Sequence, residues 1–225
     1  MTRGILIAGN ESTLLSAVTA EASKRVESFA TAVIPNRFPL PEGVSQAKAE
    51  SSGKAIPLSW NPGSPIAGRS LVLAAENRLK QINNAILVCS PPAVFKTAGA
   101  ITPDEIEILV NDHIKGWFFL IRELILYFRR SSSCSLSLVA PDPGPSGGKN
   151  IQTDILGPSS AAAFKSFANG ILASSANEPF AVMGFTGLEA GAEGEFAAWL
   201  FKIIDDGEKK SSGKWNKHSK LGFFK

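Results

Sequence analysis

Gly4-Ile5-Leu6-Ile7-Ala8-Gly9-Asn10-Glu11-Ser12-Thr13-Leu14-Leu15-Ser16-Ala17-Val18 is the stretch whose reading decides the fold. Its first half is a short apolar run, Ile5 to Ala8, that stops at Gly9. In its second half Leu14, Leu15 and Val18 recur at helical spacing, and Ser12 stands where a hydroxyl caps the first helical turn. A buried strand, a tight turn and a helix in this order open a nucleotide-type α/β fold. The helix N-terminus then points at whatever sits above the strand end. The turn itself is poor in glycine. A pyrophosphate needs several glycines there so that backbone amides can approach it. Here Gly9 is followed by Asn10, Glu11, Ser12 and Thr13, and Glu11 adds a negative charge where a phosphate would sit.

Outward from this opening, strand and helix patterns alternate. Thr31 to Ile34 reads as a second strand ended by Pro35, and Ala55 to Trp60 as a third. Residues 39 to 53 are rich in Pro, Ser and Ala, with room for a short helix. The turn Asn61-Pro62-Gly63-Ser64 leads into a helix from Pro65 to Ile82. Ala85 to Cys89 is a continuous apolar run of the buried parallel type, ending in Ser90-Pro91-Pro92. Thr102-Pro103-Asp104-Glu105 combines a capping box with Pro at the first helical position. The helix it starts runs to about Arg130, and its half from Trp117 to Phe128 is apolar nearly all round, so it is buried on more than one side. Ser135 to Ala140 reads as a fifth strand, followed by a Pro/Gly loop from Pro141 to Lys149. A helix from about Ser159 to Ser175, a strand from Phe180 to Gly184, a helix from Ala192 to Ile204 and a last strand within Lys214 to Phe224 complete the chain. Such alternation means a parallel sheet covered on both faces: one doubly wound, three-layer α/β/α domain over residues 1–225, with about seven strands.

Composition excludes several functions. The 225 residues are 44% hydrophobic and 19% charged, which is globular composition. A net charge of +3, with no basic stripe interleaved with aromatics, argues against nucleic acid. Cys89 and Cys134 lie in apolar runs as buried free thiols of a reducing compartment, and no metal-ligand spacing occurs. The N-terminal apolar run is too short for a signal peptide. Ile114 to Phe128 is too short for a membrane span and carries Arg122 and Glu123. The expectation is a cytoplasmic protein with no membrane partner.

Taken together, the order and spacing of these elements resemble the short-chain dehydrogenase/reductase family over nearly the whole chain. The resemblance implies a Rossmann sheet, an NAD(P) site and an Asn–Ser–Tyr–Lys catalytic set. Its motifs are only partly matched. Gly9 fits the first glycine of the family's turn, but Thr13 and Leu15 hold the other two positions. Bulky side chains there are expected to obstruct a pyrophosphate and to push the helix off the sheet. The family's Asn-Asn-Ala-Gly turn falls on Cys89-Ser90-Pro91-Pro92, and its adenine-side Asp on about Ser59. His113 takes the Asn position, three residues before Gly116, and the Ser position falls near Ala140 or Pro141. Lys165 fits the Lys, while Ala161 takes the Tyr position; the only Tyr in the chain is Tyr127, on another helix. Thr186-Gly187 is followed within a few residues by Glu195-Phe196-Ala197, leaving hardly any chain for the family's substrate lid.

Two functions follow from the resemblance. The first is a non-catalytic relative that keeps the scaffold for dimerisation or partner binding, with no cofactor expected. The second is an oxidoreductase with displaced chemistry, using His113 and Lys165 as acid/base candidates. For that enzyme Gly9, Ser12, Arg37 and Ser90 are the candidate cofactor contacts. Arg37, directly after the second strand, suits a 2′-phosphate, hence NADP. In either case the Trp117–Phe128 helix carries more apolar surface than one core face covers, which implies a homodimer or a heterodimer with a relative.

Overall fold

Seven parallel strands form one sheet in the order β3-β2-β1-β4-β5-β6-β7. They are β1 (Ile5–Asn10), β2 (Phe29–Ile34), β3 (Ala55–Pro57), β4 (Asn84–Val88), β5 (Ser135–Val139), β6 (Ala181–Thr186) and β7 (Trp215–Lys217). The structure, a computed structural model, describes residues 3–26, 28–38, 54–131, 133–140, 154–189, 191–206 and 211–219. The expected short helix within 39–53 and the loop from Pro141 to Lys149 lie outside the described residues.

Every residue of β1, β4 and β5 is buried, as parallel strands covered on two faces must be. Strand alternation sorts their side chains between two cores. Leu6, Ala8, Ala85, Leu87, Leu136 and Leu138 pack under the helices α2 (Pro65–Leu79), α4 (Gly116–Phe128) and α5 (Leu156–Ser174). Ile5, Ile7, Ile86, Val88 and Val139 pack under α1 (Thr13–Arg25) and α6 (Glu193–Asp205). Trp117 anchors the first core: it is fully buried, with the rings of Trp60 at 5.5 Å and Phe164 at 5.3 Å, both edge-on. Both edge strands are three residues long, which limits the unpaired edge available for association.

Several boundaries differ from the sequence reading. The third strand stops at Pro57, and Trp60 turns into the core instead of extending the sheet. The helix α2 ends at Leu79 because Lys80 adopts φ 67°, which no helix can continue. The expected single helix from 102 to 130 is a rod in three parts: α3 (Pro103–Val110), a π-helical turn (Asn111–Lys115) and α4. Its capping box is formed as expected, Glu105 N donating to Thr102 Oγ1 at 3.3 Å and Thr102 N to Glu105 Oε2 at 2.9 Å. The helix α5 starts at Leu156, one turn ahead of its small-residue pattern, because Asp154 Oδ1 accepts from Gly157 N at 3.0 Å.

Leu15 does not push α1 off the sheet. It is buried in the α1/α6 core, in the space that Gly9 leaves by having no side chain. A Cβ at Gly9 would lie 2.8 Å from Leu15 Cδ1 and 3.0 Å from both Cβ and O of Val88. Close helix–strand approach here rests on one glycine and one large residue fitted to each other. Gly9→Ala is therefore expected to destabilise the fold by about 1–3 kcal/mol through overpacking. Leu15→Ala in the same chain should recover part of that loss as a non-additive term in a double-mutant cycle. Urea denaturation of the four proteins measures it; strict additivity would show that the two residues do not compete for the same space.

Candidate functional site

The first helix and the end of β1 place Asn10 at the carboxyl edge of the sheet, between β2 and β4. This is the crevice in which open α/β sheets bind their ligands. Asn10 continues the alternation of Leu6 and Ala8, so its side chain turns toward the α4/α5 side. There its Oδ1 accepts from Ser90 N at 2.9 Å, and its Nδ2 lies 2.7 Å from His113 Nδ1. One amide thus ties the ends of β1 and β4 to the rod. An amide nitrogen can only donate, so His113 Nδ1 accepts and the ring proton sits on Nε2.

The π-helical turn supplies the other side of the site. It places two consecutive residues, Asp112 and His113, inside the protein at 2% and 1% exposure. Such turns recur at functional sites. Gly116 follows because Pro62 presses on it: a Cβ there would come within 2.4 Å of Pro62 Cβ. His113 O accepts from Ser160 Oγ of α5 at 3.0 Å. Burial first, and then the nearby Arg37 charge, push the His113 imidazole down to about 4, so it is neutral at physiological pH. Burial raises Asp112 above the usual carboxylate range, opposed by Arg37, whose Nε lies 3.4 Å from Asp112 Oδ2. Among the described residues, His113 Nε2 and Asp112 Oδ2 are buried without a hydrogen-bond partner.

Phe38 roofs this cluster. Its ring stacks on His113, centroids 5.7 Å apart and planes 26° from parallel. With Val94, Leu109 and Leu156 it forms a small apolar core of its own beyond the strand ends. Asp154 binds the walls of that core together, since its Oδ1 also accepts from Val94 N at 3.1 Å.

The sequence candidates fall as follows. Ser12 caps α1, accepting from Leu15 N at 3.2 Å and donating to Asn10 O at 3.1 Å, so its hydroxyl is engaged within the turn. Gly9 faces Leu15, Ser90 gives its amide to Asn10, and Arg37 turns to Asp112. Glu11 Oε2 faces Asn36 N at 3.4 Å across the β1 and β2 ends. His113 lies at the centre of the cluster. Lys165 is on α5 further along than Ser160, its ammonium 5.6 Å from the centre of the Trp215 ring on β7. The structure thus brings His113 together with Asn10, Asp112, Arg37, Phe38 and Ser160, and sets Lys165 against the β7 edge. Ala161, expected from the resemblance at the Tyr position, and Ala140, one of the two residues expected near the Ser position, carry no side-chain proton donor. Asn10, Asp112 and Phe38 escaped the sequence reading. Their signal was present: a polar residue ending an apolar strand, and Asn111-Asp112-His113 inside an apolar rod.

Charge also distinguishes this end of the molecule. Among the described residues, the loops and first helical turns that follow the strands carry Glu11, Asp104, Glu105, Glu107, Asp112, Asp154, Glu189, Glu193 and Glu195. Against them stand Arg37, Arg69, Lys96, Lys115 and Lys217, of which Arg37 pairs with Asp112 and Lys96 with Glu105. No group of His, Cys, Asp and Glu among the described residues is arranged to hold a metal ion.

No protein-family model and no curated protein sequence matches the chain. Solved structures do. An NADH-dependent reductase in complex with NAD superposes with a TM-score of 0.69 at 14% identity, over 96% of this chain and 95% of that one. A mutant Serratia marcescens short-chain dehydrogenase/reductase gives 0.67 at 11% identity, over 96% and 95%. The 3-ketoacyl-(acyl-carrier-protein) reductase of Brucella melitensis, complexed with NADH, gives 0.61 at 14% over 82% and 74%. The chain has the short-chain dehydrogenase/reductase fold.

The buried imidazole makes stability depend on pH in a stated direction. His113 is held near 4 when folded and returns to about 6.5 when unfolded, so its contribution is complete above pH 6.5 and is lost as pH falls toward 4. Between pH 7 and 4.5 this amounts to about 2–3 kcal/mol. The raised pKa of Asp112 acts in the opposite sense, favouring the fold as it protonates. Urea denaturation at both pH values should show a smaller drop for His113→Gln than for the unmodified chain. Equal drops would place the titration elsewhere.

Proposed function

We propose that this protein is a non-catalytic scaffold on the short-chain dehydrogenase/reductase fold, acting as a dimer in the cytoplasm. The observation that carries this reading is that the crevice above β1 and β4 is occupied by the chain's own side chains. Asn10 engages the Ser90 amide, Phe38 lies on His113, and Arg37 is directed at Asp112. A dinucleotide would have to displace all three. General acid–base help accounts for about 10²–10⁴ in rate, and Ala161 provides none. Only the six residues 187–192 separate β6 from α6, so little chain is available to close over a substrate. The buried free thiols Cys89 and Cys134 suit a reducing compartment. Among the described residues, no helix is long and apolar enough to cross a membrane.

The dimer rests on the rod's outer surface. Ile114, Phe118 and Ile125 follow one another on the side facing α5 and are only half-buried, and Phe118 stacks on Phe167 of α5 at 4.0 Å. Ile106, 48% exposed, extends this line toward the rod's start. A two-fold mate laid across α4 and α5 would bury it. Light scattering at micromolar concentration should give twice the chain mass, falling to the single mass for Phe118→Glu. A single mass for the unmodified chain would end this part of the reading.

The second reading, an NADP-dependent oxidoreductase with displaced residues, is favoured by one observation: His113 Nε2 carries a buried proton without a partner. Titration with NADPH and NADH separates the two. The scaffold is expected to show no saturable micromolar binding and no single-turnover oxidation with ketones or quinones. Turnover abolished by His113→Ala or Lys165→Ala would establish the enzyme instead.

A further inference from the structure

The Asn10 amide can serve both of its neighbours only while His113 is neutral. Asn10 and His113 are each 1% exposed, so neither side chain can exchange its partner for bulk water. Asn10 Oδ1 accepts from Ser90 N at 2.9 Å, and Nδ2 donates to His113 Nδ1 at 2.7 Å. Because the ring's one proton is on Nε2, a second must enter at Nδ1, where it meets an N–H of Asn10 head-on. Turning the amide over brings Oδ1 to the imidazolium, but it then sets Nδ2 against the N–H of Ser90. Two donors compete for one oxygen, and their places at opposite corners of the amide let only one reach it.

The surroundings decide which donor loses. A hydrogen bond from a charged donor is roughly twice as strong as a neutral one, so the imidazolium takes the oxygen. Phe38 does not oppose this, since an aromatic face attracts a cation. Ser90 is only half-buried, and its freed amide can turn to water. Pro91 and Pro92 have no N–H, so the Ser90 amide is the first tie that the loop after β4 can make. Fixed points bound that loop: Cys89 N donates to Val139 O at 2.9 Å, and Val94 N to Asp154 Oδ1 at 3.1 Å. The charged groups around the ring are few. Arg37, after β2, opposes a charge on it and pairs with Asp112 of the same turn. Glu11, after β1, faces Asn36 N, Lys115 of the rod reaches Asn111, and Glu105 of α3 is held by Lys96. From α5 comes Ser160, whose hydroxyl donates to His113 O. Burial first, and then Arg37, keep the ring neutral down to about pH 4.

We propose that Asn10 is a proton-operated clasp: it holds the loop after β4 to the rod while His113 is neutral, and moves its oxygen from Ser90 to the ring when His113 is protonated, freeing residues 90–93 at the mouth of the crevice. The clasp rests on hydrogen bonds within the chain, so a monomeric mass or saturable binding of NADPH, either of which would end the scaffold reading, leaves it standing. NMR of the 15N-labelled full chain, from neutral pH through the ring's midpoint near 4, tests it. His113→Gln identifies the ring signal. The ring should carry its proton on Nε2 at neutral pH. On acidification the Ser90 amide signal should move with the same midpoint as the ring, and its protection from hydrogen exchange should fall about tenfold or more. In His113→Gln the Ser90 step should disappear. Asn10→Asp removes the conflict, because a carboxylate accepts from both donors. In that variant the ring's midpoint should rise, and Ser90 should stay protected while the ring titrates. Should Asn10→Asp not fold, the unmodified chain and His113→Gln decide the matter. A Ser90 signal that holds still while His113 titrates overturns the proposal, as does a Ser90 step that persists in His113→Gln or in Asn10→Asp. Unfolding of the whole chain before the ring takes its second proton overturns it too, since no local release then accommodates the charge.

Discussion

The side-chain amide of Asn10 is the interaction on which the arrangement above the sheet depends. It accepts from the Ser90 amide and donates to His113, and so joins the ends of two central strands to the long rod. A hydrogen bond of this kind has a modest net value, about 1 kcal/mol, but leaving its buried partners unmade costs more. With Asn10 engaged, the imidazole is held as one tautomer and its ring face is available to Phe38. The π-helical turn belongs to the same arrangement, since it brings Asp112 and His113 inward together.

Anion recognition at a helix N-terminus uses free amides and positive potential. Here the Ser12 hydroxyl is engaged with Leu15 N and Asn10 O, and the Ser90 amide has a side-chain acceptor. Burial also holds His113 neutral at physiological pH and raises the Asp112 carboxyl, opposed by the Arg37 charge.

Much of the fold was legible because it depends on local periodicity. Apolar runs at Ile5–Ala8 and Ala85–Cys89, the capping box at Thr102 and the alternation of strands with helices each rest on residues a few positions apart, and all appear in the structure near where they were read. Boundaries that failed were those set by distant contacts. Trp60 left the third strand for the rings of the first core, and Asp154 started α5 a turn early. The expectation about Leu15 failed for the same reason. From spacing alone a leucine at a glycine position is an obstruction; in space it fills the volume that Gly9 leaves open.

The sequence by itself determined the class of fold and the approximate number of strands along the chain. Those are properties of residue identity and of spacing along the chain. Tertiary structure alone decided what His113, Arg37 and Ser90 do, because their partners Asn10 and Asp112 are supplied by other elements or by a turn whose geometry spacing does not reveal. It also decided that Lys165 stands over Trp215 at the β7 edge. The reason is physical. Periodicity reports which face of an element is buried, but a polar side chain's role is set by which donor, acceptor or charge lies within about 3 Å of it, and that distance is created only when the elements pack.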